Sequence, residues 1–129
     1  MTPDPAHVLL VDDYPDALEV WTLFLQTSGY DVAAAADGST ALRAALARTP
    51  HVVVLDLQLP DLSGLEVARR LRAAPATASI PLIALTGRAL PADVAEARAA
   101  GFDDVLVKPC EPSDLLAAIR RALDRVVES

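Results

Sequence analysis

Four short apolar runs in this 129-residue chain end on residues that can do chemistry. Asp12-Asp13 closes the first, Asp56 the third, Thr86-Gly87 the fourth and Lys108-Pro109 the fifth. If those ends meet, three carboxylates, a hydroxyl and an ammonium group share one spot. Three neighbouring carboxylates repel one another unless cations intervene. Lys108 supplies one positive charge and a divalent ion two more, which balances the cluster at zero. An oxygen donor set completed by water favours Mg²⁺ or Mn²⁺ over zinc. A carboxylate-held Mg²⁺ beside a lysine suits the acceptance of a phosphoryl group, because metal and ammonium offset the charge on its equatorial oxygens. Thr86 can donate a hydrogen bond to one of those oxygens, and Gly87 leaves its backbone N–H open to approach.

The elements that must position these residues alternate along the chain. The β-type runs are Val8–Val11, Asp31–Ala35, Val52–Leu55, Leu82–Leu85 and Val105–Val107. The first, third and fourth are almost continuously apolar, as expected of strands covered on both faces. Between them lie segments with helix punctuation. Pro15 opens a helix running towards Gly29, with Leu18, Trp21 and Leu25 on one stripe. Ala41 to Ala47 forms a second, Ala-rich helix after Asp37-Gly38. Ser63 and Glu66 have capping-box spacing at the start of a third. Pro91 opens a fourth helix that Gly101 closes. Pro112 opens a fifth, with Leu115, Ile119, Leu123 and Val126 facing inward. Strict β-α alternation predicts an α/β fold, a doubly wound parallel sheet with right-handed crossovers. Five such units suggest the flavodoxin-like (βα)5 arrangement with strand order 2-1-3-4-5. In such sheets the functional crevice lies at the carboxyl ends of the strands, where the four chemical run-ends would gather.

Composition limits the alternatives. One domain over residues 1–129, with its core over about 7–127, fits this length. Hydrophobic residues make up 53% and aromatic residues 4%, so the core must be built from Ala, Val, Leu and Ile. The net charge of −7 argues against a direct nucleic-acid partner, which needs a basic face. Arg69-Arg70 and Arg120-Arg121 are too short for one and are expected on solvated helix faces. The single Cys110 excludes an internal disulfide. No apolar stretch reaches membrane-spanning length and the start of the chain lacks a signal-peptide pattern, so no membrane association and a cytoplasmic location are expected.

The set Asp12-Asp13, Asp56, Thr86 and Lys108-Pro109, in this order and spacing, resembles the signature of response-regulator receiver domains. Leu55-Asp56-Leu57-Gln58-Leu59-Pro60 followed by Gly64 is typical of that family's phosphoacceptor strand and loop, and the match runs from about Val8 to Val127. The resemblance is to a single-domain, chemotaxis-type regulator in two-component signalling. It implies that Asp56 accepts phosphate from a histidine kinase or histidine phosphotransfer protein and signals to a downstream protein. Asp13 and Asp56 would then ligate Mg²⁺ directly, Asp12 through water, and the backbone carbonyl of Gln58 would complete the protein's share. Lys108 would pair with the phosphoryl group, Thr86 would be the switch hydroxyl, and the Lys108-Pro109 bond would be cis. Gln58 and Arg88 would tune dephosphorylation. Such a domain is not an enzyme beyond its own phosphorylation and slow dephosphorylation.

Other readings fit less well. A haloacid-dehalogenase-type phosphohydrolase needs an Asp two positions beyond its nucleophile, where Gln58 stands and cannot usefully transfer protons. A flavin protein of the same fold needs a Gly/Ser/Thr-rich phosphate loop, whereas Asp12 to Asp16 is acidic. A binding module whose output ignores phosphorylation is the strongest rival. The family usually places Tyr or Phe three positions before the lysine, and here stands Val105, stiff at χ1 and without a ring to swing. Blander roles fit single residues. Asp12-Asp13 could cap the first helix, Trp21 and Phe24 pack, Cys110 lacks a catalytic partner, and His7 and His51 are expected exposed at the opposite rim. Ala118 stands where DNA-binding regulators often carry an Arg, which argues against their ion-paired dimer. Two arrangements fit the chain ends: a stand-alone regulator, or a domain of a hybrid kinase or larger regulator, to whose receivers the run Ala100 to Asp104 is similar.

Overall fold

The computed structural model describes residues 5–88 and 90–128, and side chains up to residue 125. Five strands, β1 (His7–Val11), β2 (Asp31–Ala35), β3 (Val52–Asp56), β4 (Leu82–Thr86) and β5 (Asp104–Val107), alternate with five helices. These are α1 (Pro15–Thr27), α2 (Gly38–Ala47), α3 (Gly64–Ala73), α4 (Pro91–Ala100) and α5 (Pro112–Glu128). The strands form one sheet in the order β2-β1-β3-β4-β5, with every neighbouring pair parallel. This is the flavodoxin-like (βα)5 arrangement.

The period of two in a strand divides the core. Val8, Leu10, Val52, Val54, Ile83 and Leu85 face α1 and α5, against Leu25, Leu115, Ala118 and Ile119. Leu9, Val11, Val53, Leu55, Leu82 and Ala84 face α2, α3 and α4, against Ala41, Ala45, Val67, Leu71 and Ala97. Both faces of β1, β3 and β4 are therefore buried, which explains their continuous apolar runs. Alanine on the helices lets them lie close to the sheet, and Phe102 is the one fully covered aromatic among the described residues. Ala118 is part of this core, so its position on α5 is turned inward. The inward stripe of α5 holds for Leu115 and Ile119, with Leu123 half-buried, while the Val126 side chain lies outside the described residues.

Local signals set the helix ends. Pro15 and Pro91 sit in the first turns of α1 and α4, and Gly101 ends α4 at φ +114°, a conformation that favours glycine. Ser63 caps α3 by accepting from the Glu66 N–H at 3.2 Å. The carboxylate of Glu66 instead pairs with Arg69 and Arg70 along the helix, so only half of a capping box forms. Two expectations are corrected. The second helix begins at Gly38 rather than Ala41, because Asp37 caps it by accepting from Thr40 N–H at 2.7 Å. His7 is buried, because β1 begins one residue earlier than expected and makes His7 an inner strand position. Its backbone N–H donates to His51 Nδ1 at 2.8 Å, and its ring nitrogen lies 3.2 Å from the Asp31 carbonyl. His51 is exposed as expected.

Candidate functional site

Strand register brings the chemical residues to one rim. Val11 is opposite Leu55, Asp56 opposite Leu85, and Thr86 opposite Val107, so the next residues on β1 and β5 are Asp12 and Lys108. β2, an edge strand, ends on Ala35 and brings no polar side chain. The Lys108 N–H donates to the Thr86 carbonyl at 2.7 Å, and the peptide bond to Pro109 is cis.

Asp12 and Asp56 are buried, with Asp12 only 1% exposed, while Asp13 is open to solvent. Carboxylate oxygens of all three lie within 4.8 Å of one another. Lys108 Nζ reaches Asp56 Oδ2 at 2.7 Å and Asp12 Oδ2 at 3.4 Å. Burial disfavours the lysine's charge, but the hydrogen bond to Asp56 and the attraction of both carboxylates outweigh it and raise its pKa above the ordinary lysine value. Lys108 is thus firmly cationic at neutral pH.

The helix-capping reading of Asp12-Asp13 fails. The cap of α1 is Tyr14, with no side-chain hydrogen bond, and Asp12 accepts from the Tyr14 N–H at 2.9 Å in a turn outside the helix. Asp56 makes the same local turn with the Gln58 N–H at 2.9 Å. Each aspartate thereby keeps its carboxylate aimed at the rim rather than at solvent. Close packing sets the loop beyond Asp56. A Cβ on Gly64 would stand 2.6 Å from both the Asp56 carbonyl and Leu57 Cα, so only glycine lets α3 begin this close to the end of β3.

Thr86 is buried and its hydroxyl oxygen accepts from the Arg88 N–H at 3.0 Å, leaving its proton free to donate. Gly87 is exposed, with nothing within 4 Å of where a Cβ would stand. Gln58 and Arg88 are exposed at the same rim. Val105 is half-buried and packs against the core on the α3–α4 side. Beside the acidic cluster a cleft of about 450 Å³ is lined by Asp12, Tyr14, Trp21, Lys108, Pro109 and Cys110. Burial and the charge of Asp114 push the Cys110 thiol up, which keeps it protonated and unsuited to attack. A cleft of about 480 Å³ among Arg72, Arg98 and Asp103 lies at the other end of the strands.

Two residues that organise the molecule carried no local sequence signal. Asp61 accepts four hydrogen bonds, three of them from Gly38 and Ser39. Arg72 spreads its guanidinium over the carbonyls of Ala78, Ile80 and Gly101 and the Asp103 carboxylate.

Hard oxygen donors, one of them solvent-accessible, fit a small divalent cation such as Mg²⁺. No helix among the described residues is long and apolar enough to cross a membrane. The chain is similar to the DNA-binding response regulator MtrA of Mycolicibacterium smegmatis, 39% identical over 119 residues, covering 92% of this chain and 51% of that relative. It therefore spans about half the length of the curated relatives it matches. Among solved structures it is similar to chemotaxis protein CheY4 of Vibrio cholerae, at 34% identity and a TM-score of 0.88, covering 92% and 99% of the two chains. It is also similar to the receiver domain of sensor histidine kinase PA1611 from Pseudomonas aeruginosa, solved with a magnesium ion coordinated in its active-site cleft. That likeness has 33% identity and a TM-score of 0.86, covering 93% and 98%. Residues 8–120 match the response regulator receiver domain family, and on that match the chain belongs to it.

Proposed function

We propose that the chain is a phosphoacceptor in a two-component phosphorelay, taking a phosphoryl group onto Asp56 from a histidine kinase or histidine phosphotransfer protein. The observation that carries this reading is Lys108 Nζ at 2.7 Å from Asp56 Oδ2, on a rim where three carboxylates converge. Asp13, Asp56 and the Gln58 carbonyl would hold Mg²⁺, or Mn²⁺, with Asp12 acting through water. When bound, the ion would offset the charge that develops on the transferring phosphoryl oxygens.

The chain's own groups do the rest. An Asp56 oxygen attacks phosphorus in line with the departing imidazole nitrogen, so a P–O bond forms as the P–N bond breaks. Lys108 leaves its ion pair with Asp56 for the new phosphoryl oxygens, and Asp12 keeps the ammonium in reach. Thr86 donates its free hydroxyl proton to another phosphoryl oxygen. Gln58 supplies no proton-transferring group, so the acyl phosphate persists long enough to signal. No other substrate is turned over. The domain acts in the cytoplasm on a downstream protein, and its charge of −7 disfavours direct contact with nucleic acid.

Treatment with acetyl phosphate and Mg²⁺, followed by intact mass measurement, tests the reading. One phosphoryl group is expected on the wild type and none on Asp56→Asn or in excess chelator. Undiminished labelling of Asp56→Asn rules out Asp56 as the acceptor.

Readout does not use a swinging ring, since Val105 has none. Thr86 offers another route, because its hydroxyl holds the Arg88 N–H and so the start of the loop into α4. Movement of Thr86 towards the phosphoryl group drags that loop, shifting an equilibrium between two surfaces over α4, β5 and α5. Amide exchange of phosphorylated protein is expected to change at Thr86, Gly87 and Arg88 and along β5. Identical exchange in the two forms favours the rival reading, a module whose output ignores phosphorylation.

A further inference from the structure

Asp61 lies in the loop between β3 and α3, and its carboxylate is the meeting point of two loops. Oδ1 accepts from the Gly38 N–H at 2.7 Å and from the Leu62 N–H at 2.8 Å. Oδ2 accepts from the Ser39 N–H at 3.0 Å and the Ser39 hydroxyl at 2.7 Å. With Asp37 taking the Thr40 N–H, two carboxylates satisfy the first three amides of α2, which helix geometry leaves without partners. The Ser39 hydroxyl first, then the backbone N–H groups of Gly38 and Ser39, hold the Asp61 carboxyl far below the usual carboxylate range.

Asp61 is not part of the acidic rim, since its charge is spent on these donors and the metal-sized cluster contains only Asp12, Asp13 and Asp56. Its effect is mechanical. The loop it belongs to leaves β3 under restraint, with Leu57 N–H bound to the Leu85 carbonyl and Gln58 N–H to Asp56 Oδ1. It re-enters helix at Gly64, whose N–H donates to the Leu57 carbonyl at 2.9 Å. Over residues 59–62, the hydrogen bonds to another element among the described residues are those of Asp61. Contact there is close, because a Cβ on Gly38 would stand 2.9 Å from Leu62 Cβ and from Val67 Cγ2.

We propose that Asp61 is a positioning residue for the phosphoacceptor site: by tying the loop after Asp56 to the start of α2, it fixes the main chain at Gln58 and so sets the affinity of the acidic rim for a divalent cation. This rests on the receiver reading, in which the Gln58 carbonyl is a metal ligand. A ligand on a loop held at β3 and at Gly64 but not between them must be ordered further at the moment of binding, which weakens affinity without removing any donor.

Mn²⁺ titration followed by the electron paramagnetic resonance of the free ion reads this without phosphoryl transfer. Asp61→Ala is expected to raise the Mn²⁺ Kd by roughly tenfold, the lower end of what loss of an outer support costs a metal site. Asp61→Asn keeps an oxygen for the Gly38 and Leu62 N–H groups, remains folded and falls between. Urea unfolding of the same samples fixes the folded fraction, so Kd refers to native protein. A merely structural Asp61 lowers the unfolding midpoint and leaves Kd for the native fraction unchanged in both variants. That result overturns the inference while leaving the receiver reading intact. Failure of the wild type to bind Mn²⁺ any better than Asp13→Asn overturns both.

Discussion

Lys108→Met is expected to cut phosphoryl transfer to Asp56 by roughly 10²–10³, the usual cost of removing a preorganised group that meets charge developing in the transition state. The same substitution should have the opposite effect on metal affinity. Lys108 occupies the Asp56 and Asp12 oxygens at 2.7 and 3.4 Å, and its ammonium repels an approaching dication. Without it the rim carries three uncompensated negative charges, so Mg²⁺ is expected to bind severalfold more tightly. The metal-free variant should be less stable, by about 2 kcal/mol, a figure below that for a fully buried pair because the lysine is 36% exposed. Added Mg²⁺ should restore much of that loss by mass action. Transfer rates, Mg²⁺ titrations and melting with and without the ion check the three signs together. Weaker Mg²⁺ binding by the variant would contradict the electrostatic account of the rim.

Arg72→Ala is expected to cost about 3 kcal/mol of stability, although it lies far from Asp56 and the acidic rim. Its guanidinium donates to Gly101, Ala78 and Ile80 carbonyls at 2.6 to 3.1 Å and to Asp103 at 2.9 Å. Asp103 in turn accepts from the Leu82 N–H at 2.9 Å, so one side chain clamps the end of α3, the turn before β4 and the entry to β5. Truncation takes the guanidinium donor from three carbonyls in a half-buried place and leaves Asp103 with the Leu82 N–H, each unmet group costing about 1–3 kcal/mol before water relieves it. For a domain of this size the melting temperature should fall by roughly 10 °C. Arg72→Lys retains the charge but not the fork that reaches several carbonyls at once, and should recover only part. Labelling by acetyl phosphate, measured well below the melting temperature, is expected to be unchanged. A change in stability below about 1 kcal/mol would show that water replaces the guanidinium without loss.

Much of the molecule was legible because its signals are local. Apolar runs bounded by Asp, Thr and Lys gave the strand ends, and Pro15, Pro91, Ser63 and Gly101 gave helix limits that the structure reproduces. His7 departs from its expected exposure because one residue of extra strand reverses the exposure of its position. α2 starts three residues before the expected Ala41, although the Gly38-Ser39-Thr40 segment has weak helix propensity of its own. Capping by Asp37 and Asp61 overrides that weakness.

The sequence by itself determined the alternation of elements, the continuous apolar runs of the strands buried on both faces and the polar residues that close four of the strands. Each of these follows from spacing within a single strand or turn, where side-chain direction is set by backbone geometry. Tertiary structure alone decided that Asp61 holds Gly38 and Ser39, at separations of 23 and 22 residues, and that Arg72 holds Gly101 across 29. Those bonds depend on how helices pack on the sheet. No periodic pattern along the chain encodes that packing, so these two supports became visible only once the helices were in place.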